Sequence, residues 1–174
     1  FNTLHRVDRL AGIISGNINQ DQRNVLAILD IIDLVKENIN KEEKIFKFLG
    51  RLIETIEAES CTLIYLDKDK NPIKTYSRMR QSMEWEEEPF INYNIVKKVA
   101  FARKGEFSID WENINDVDLI LNSPNWKSII VHPIEFNGKI KAIIYITVPL
   151  REKEFDYDCY NMVKTLSGVF SPIV

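Results

Sequence analysis

Residues 94–147, NIVKKVAFARKGEFSIDWENINDVDLILNSPNWKSIIVHPIEFNGKIKAIIYIT, decide the fold. NIVKKVAFARKGE (94–106) reads as a helix, FSID (107–110) as a short strand, and 111–126 as an acidic, polar loop and helix. KSIIVHPIEFNGKIKAIIYITV (127–148) reads as a hairpin, because Asn137-Gly138 separates the apolar flanks at Ile134 and Ile140. Both turn residues tolerate the positive φ that a type I′ turn needs. This order predicts a cupped antiparallel sheet with helical segments folded over one face, which suits holding a small molecule better than reacting with one.

Working upstream, the apolar period changes from 3.6 toward 2 at Cys61. CTLIYL (61–66) and IKTYSR (73–78) are strand material around the turn DKDKNP, which predicts a second hairpin. Ile45, Phe48, Leu49, Leu52, Ile53 and Ile56 form one continuous helical face that should lie flat against the sheet. Further upstream, Leu4, Val7, Leu10, Ala11 and Ile14 predict a first helix interrupted at Gly16-Asn17. A second is expected from an Asp21 N-cap, with Val25, Ile28, Leu29, Ile32 and Val35 on one stripe that Leu26 and Leu34 widen, closing at Asn38-Ile-Asn40. Downstream, Phe155, Cys159, Met162, Val163, Leu166 and Phe170 predict a last helix entered through Asp156 and Asp158. Residues 81–88, acidic around Trp85, read as an exposed loop or flap.

With 174 residues, 45% hydrophobic, the chain can bury one ordinary core. Its 23 basic and 26 acidic residues are interleaved without a basic stripe, so nucleic acid is a poor candidate partner. No apolar run approaches the ~20 residues that cross a bilayer, so no membrane insertion is expected. Phe1-Asn-Thr-Leu-His lacks a signal-peptide pattern, and opening without Met points to a piece of a longer protein. Cys61 and Cys159 carry no metal-ligand or CxxC spacing, which fits a reducing cytoplasm and argues against a disulfide or zinc site. No nucleophile has a recognisable base partner, so no catalytic residue is nominated and this piece is not expected to be an enzyme.

NIVKKVAFARKGEFSID and KSIIVHPIEFNGKIKAIIYI resemble the two signature segments of the GAF family of cytoplasmic sensor domains, in the family's order and spacing. Asn94, Lys97 and Lys141-Ala142 stand where the family commonly has glycine. The resemblance covers roughly residues 41–172. It implies an α+β fold whose antiparallel sheet carries amphipathic helices on one face and a helix- and loop-covered ligand pocket on the other. The chain then divides into N-terminal signalling or dimerisation helices (1–40) and a GAF sensor domain (41–174).

Members of the family hold cyclic nucleotides, bilins, haem, other metabolites or nothing. A thiol for bilin is poorly placed here, and His132 is the one strand histidine available as a haem ligand, although a core role is the commoner reading of such a residue. In cyclic-nucleotide-binding members an aromatic residue and its neighbour on the second strand contact the purine, and those positions look like Tyr76 and Ser77. The same comparison maps a small polar position to Cys61 and a last-strand position to Tyr145, beside Thr147. Phosphate is expected at the N–H groups of Ile95 and Val96. Ser108, Asp110, Trp111, Asn115, Asn122 and Trp126 are expected in the roof. Tyr76 and Tyr145 also have a plain reading as sheet-core aromatics, and the aspartates as helix caps.

The expected function is therefore a regulatory small-molecule sensor, with a cyclic nucleotide (cAMP or cGMP) as ligand and an effector in the same chain such as a nucleotide cyclase, kinase or phosphatase. The alternatives are a ligand-free structural dimerisation module or a sensor of haem or another metabolite. The apolar stripes within 1–40 exceed what one small sheet can cover and predict a parallel homodimer, against an extra helical layer in a monomer.

Overall fold

The computed structural model describes the backbone of residues 2–111 and 126–174, and the side chains of 19–109 and 126–174. Its elements are helix α1 (Asn2–Lys36), helix α2 (Lys41–Ile56), strands β1 (Ser60–Leu66) and β2 (Pro72–Met79), helix α3 (Tyr93–Ala102), strands β3 (Glu106–Trp111), β4 (Trp126–Phe136) and β5 (Lys139–Pro149), and helix α4 (Tyr157–Phe170).

Capping fixes where the helices start. Asn40 Oδ1 accepts from the Glu43 N–H at 2.8 Å, and Glu42 and Glu43 put negative charge at the positive end of α2. Asp156 does the same for α4, accepting from the Cys159 N–H at 2.9 Å. The hairpin turn is as read, with φ of 54° at Asn137 and 75° at Gly138.

The strands form one antiparallel sheet in the order β2-β1-β5-β4-β3. Directly paired residues share a face. Register therefore places Cys61, Leu63, Ile130, Ile144 and Ile146 together on one side, buried with the apolar stripes of α2 and α4. Phe48 of α2 stacks on Phe170 of α4 with ring centroids 4.1 Å apart. On the other side Ile64, Ile129, Val131, Ile143 and Tyr145 bury against Val96, Val99 and Ala100 of α3.

One expectation for the N-terminal segment is corrected. The helix does not break at Gly16-Asn17 but runs unbroken to Lys36, because one interior glycine costs only about 1 kcal/mol in a helix supported on both sides. Ala27, Ile31 and Leu34 are buried in the core under α2 and α4, whereas Val25, Leu26 and Leu29 of the expected stripe are 55%, 57% and 49% exposed. At 100° per residue, Val25 and Leu29 stand on the face opposite Ala27 and Ile31.

Candidate functional site

The sheet face beneath α3 carries a row of four buried Ser and Thr hydroxyls, whereas the other face buries one, Ser128, which accepts from the Phe155 N–H at 2.8 Å. Ser60 pairs with Thr147, Thr62 with both Tyr145 and Ser77, and Ile64 with Thr75, so these side chains share that face. Ser60, Thr62, Ser77 and Thr147 are all buried. They satisfy one another: Ser60 Oγ and Thr147 Oγ1 are 2.6 Å apart, and Thr62 Oγ1 and Ser77 Oγ 2.9 Å.

Beside Thr147 lies a chamber of about 120 Å3, walled by Ser60, Ile129, Tyr145, Thr147, Pro89 and Phe90. The Lys127 ammonium closes its rim against Glu59 at 3.3 Å, with both side chains largely buried. Tyr145 anchors it to the start of α3, its hydroxyl accepting from the Asn92 N–H at 3.3 Å. Asn92 is in turn the α3 N-cap, its side chain accepting from the Asn94 N–H at 3.1 Å.

Of the residues nominated from the sequence, Tyr145 and Thr147 line the chamber and Ser77 lies on the same face. Ser108 stands on this face opposite Ile129, half-buried on the outermost strand β3. Val96 is buried beneath α3 and Ile95 packs at its edge. Asp110 and Trp111 end β3 opposite Lys127 and Trp126, and Trp126 is largely exposed. Asn115 and Asn122 lie outside the described residues.

Several nominated groups lie away from the chamber. Cys61 and Tyr76 face α2, not the chamber: Cys61 is fully buried, with its thiol pKa pushed up by burial, and Tyr76 packs on Tyr65 and Trp85. Trp85 packs edge-on to Phe46 with centroids 5.0 Å apart, so the acidic 81–88 loop folds toward α2 rather than over the chamber. His132 also faces the helices, its Nδ1 3.4 Å from the Tyr160 hydroxyl of α4, which removes it as a ligand to anything held in the chamber. The Ile95 and Val96 N–H groups are occupied by Asn92 O at 3.1 and 3.2 Å, because α3 starts early enough to turn both into interior helix donors.

Sequence reasoning missed Ser60, Thr62, Lys127 and Phe90. The signal was available for the first two: hydroxyls at alternate positions of one strand, matched by Ser77 and Thr147 on strands either side, mark a single polar face.

No family sequence model matches the chain, and no curated protein does. Solved structures do. The GAF domain of a phosphoenolpyruvate-protein phosphotransferase from Coxiella burnetii superposes with a TM-score of 0.60 at 14% identity, over 87% of this chain and 92% of that one. The A. aeolicus nlh2 GAF domain in an inactive state gives 0.59 at 13%, over 88% and 96%. The GAF domain of a putative sensor histidine kinase from Pseudomonas syringae pv. tomato gives 0.56 at 7%, over 91% of each.

The chain has the GAF fold.

Within that fold the chamber lies on the face that the resemblance assigns to ligand, opposite α2 and α4. The other face of this GAF fold contains a strongly perturbed histidine. Burial holds the His132 imidazole down to about 4, Lys164 adds to the effect and Glu135 opposes it. The unfolded chain binds this proton more tightly, so the contribution is fully present above about pH 6.5 and is lost as pH falls toward 4. We expect this group to remove up to about 3 kcal/mol of stability across that window. Urea midpoints of wild type and His132→Gln between pH 4 and 7 check this. The variant should lose less stability on acidification, and identical slopes would contradict the assignment.

Proposed function

We propose that this chain is a regulatory sensor domain of a signalling protein and that its ligand occupies the chamber beside Tyr145. The observation that carries the reading is the buried hydroxyl face. A sheet with no task but cohesion buries mostly aliphatic side chains, as the α2 and α4 side does apart from Ser128, whereas four hydroxyls are kept dry on this face and two of them, Ser60 and Thr147, line the cavity. Paired hydroxyls can exchange their mutual bonds for bonds to a guest at little cost, because each is both donor and acceptor.

At about 120 Å3 the chamber is below the ~300 Å3 at which drug-sized pockets begin. A small polar metabolite is therefore the better fit. A cyclic mononucleotide is the finer proposal drawn from the resemblance. It would use the Lys127 ammonium and the hydroxyls as phosphate donors, and its entry requires Pro89 and Phe90 to move outward. The structural relatives named for a phosphotransferase and a sensor kinase support a regulatory setting with an effector in the same chain. Both cysteines are free, in keeping with a cytoplasmic site of action, and among the described residues no helix is long and apolar enough to cross a membrane.

Thermal-shift measurements with cAMP, cGMP and small metabolites on wild type and Thr147→Leu test the reading. A guest at a hundredfold its Kd adds about 2.7 kcal/mol, or roughly 5–10 °C for a domain of this size. That rise should appear in wild type and vanish in Thr147→Leu, where the larger apolar side chain fills the chamber. Equal rises in both would place the ligand elsewhere. A second reading, a ligand-free structural module, is favoured by the mutual satisfaction of the hydroxyl pairs. It predicts no rise with any compound.

Residues 1–40 are proposed as the dimerisation and signalling helix, with the sensor from 41 onward. Val25, Leu26 and Leu29 give α1 a second apolar face that no part of its own core covers, and the same face of a second copy is its natural partner. Light scattering at high micromolar concentration should report a dimer for wild type and a monomer for the double variant Leu26→Glu, Leu29→Glu. A monomeric wild type would contradict the arrangement.

A further inference from the structure

A second cavity, of about 340 Å3, opens on the helix-covered side of the sheet, between the turn after α3, strand β4 and helix α4. Its charged lining is Arg103 and Lys104 from the turn, Glu135 from β4 and Lys164 from α4. Arg103 is already committed, its Nε 3.0 Å from Glu135 Oε1 and its other nitrogen donating to Gly138 O at 2.7 Å. That pair is neutral, which leaves the two ammonium groups of Lys104 and Lys164. Among the described residues neither lysine is ion-paired, although Lys164 lies close enough to His132 to repel its proton.

The uncharged lining combines polar side chains with the apolar Pro133 and Ile134. His132 forms part of the wall, and Tyr160 turns its hydroxyl to within 3.4 Å of His132 Nδ1. Ser167 is buried in the floor, and among the described residues its Oγ has no hydrogen-bond partner, an unusual state for a buried hydroxyl. The turn is drawn close by Gly105: a Cβ there would sit 2.6 Å from the Tyr160 hydroxyl and 2.8 Å from His132 Nδ1. A larger residue there would make the Tyr160 and His132 side chains shift away from the turn that carries Lys104.

The geometry points to a binding site for a small phosphate-bearing anion, held between Lys104 and Lys164 with Ser167 as a hydroxyl donor. Two unmatched ammonium groups balance a dianion, and the cavity is within the range of pockets that enclose small ligands. The charge-assisted bonds formed are stronger than the water contacts that lysines at a surface give up. This site is separate from the chamber at Tyr145, on the opposite face of the sheet, so neither stands or falls with the other.

His132 supplies the readout. It is one of only two histidines, the other being His5. The groups facing it are Lys164 and Tyr160 from α4, Arg103 and Lys104 from the turn, and Glu135 from its own strand. A bound phosphate group, a dianion near neutrality and a monoanion where His132 titrates, adds negative charge to this set and must raise the proton affinity of His132. Imidazole NMR is recorded against pH with inorganic phosphate, pyrophosphate or glycerol phosphate, each matched by sodium chloride at equal ionic strength. The expected result is a saturable response in which His132 binds its proton at least tenfold more tightly and His5 does not change. Lys104→Gln with Lys164→Gln should abolish the response, and Ser167→Ala should weaken binding about tenfold. Tighter binding of inorganic phosphate or of the ester says whether the free ion or a phosphorylated metabolite is the guest, and either supports the site. An unsaturable response, one shared equally by His5, or one that survives in the double-lysine variant would overturn it.

Discussion

Phe48→Ala is expected to lower the unfolding free energy by about 3–5 kcal/mol, the range found when a large buried aromatic is truncated. Phe48 is fully buried, and its ring lies nearly parallel to Phe170, at 5° and 4.1 Å. The pair joins α2 to α4, and both helices to the sheet through Ile144 and Ile146. Truncation removes dispersion contacts from the centre of the layer, where neighbours anchored on three elements cannot collapse into the gap. Against a total stability of about 5–15 kcal/mol this is a large fraction, and the melting temperature should fall by roughly 6–20 °C. Calorimetry or urea unfolding checks it. A loss below about 1 kcal/mol would mean that the two helices do not meet through this contact.

Tyr145→Ala should cost a similar amount, about 3–5 kcal/mol, for a different set of reasons. The ring is fully buried between the sheet and α3, and its hydroxyl accepts from the Asn92 N–H at the start of that helix. Removing it opens the chamber, strips packing from Ile129 and Val131, and takes away an acceptor at the N-cap. Tyr145→Phe separates these contributions. It keeps the ring and deletes only the acceptor, so it should cost about 1–3 kcal/mol. Urea unfolding of both variants gives the comparison, and equal losses would mean that the ring itself contributes nothing. Because Tyr145 also walls the chamber, the milder variant is the one in which to measure altered ligand affinity in a folded protein.

The parts of the fold that the sequence made legible are those governed by local chemistry. The stripe from Ile45 to Ile56, the Asp156 entry to the last helix, and the Asn137-Gly138 turn each fix an element without reference to distant residues. The site was harder because it depends on which way strand residues point. Tyr76 and Ser77 are neighbours on one strand, so they face opposite sides of the sheet and cannot both line one pocket. Register sends Ser77 to the chamber side and Tyr76 to the helices. The N-terminal helix poses another difficulty. With apolar residues on two opposite faces of α1, its pattern does not say which face meets the core, and small Ala27 proved to be inside while Val25 and Leu29 are outside. Gly16 looked like a break only because its neighbours were weighed without the length of helix on either side.

The central claim is that the polar face of the sheet, not the helix-covered one, receives the regulatory ligand. Methyl-resolved NMR tests it most directly, using a compound that raises the melting temperature. Ile129 and Thr147 report from the chamber, and Ile144 and Ile146 from the opposite face. The account predicts saturable shifts at Ile129 and Thr147 with Ile144 and Ile146 nearly still. The reverse pattern, or shifts confined to residues outside the chamber, would contradict it.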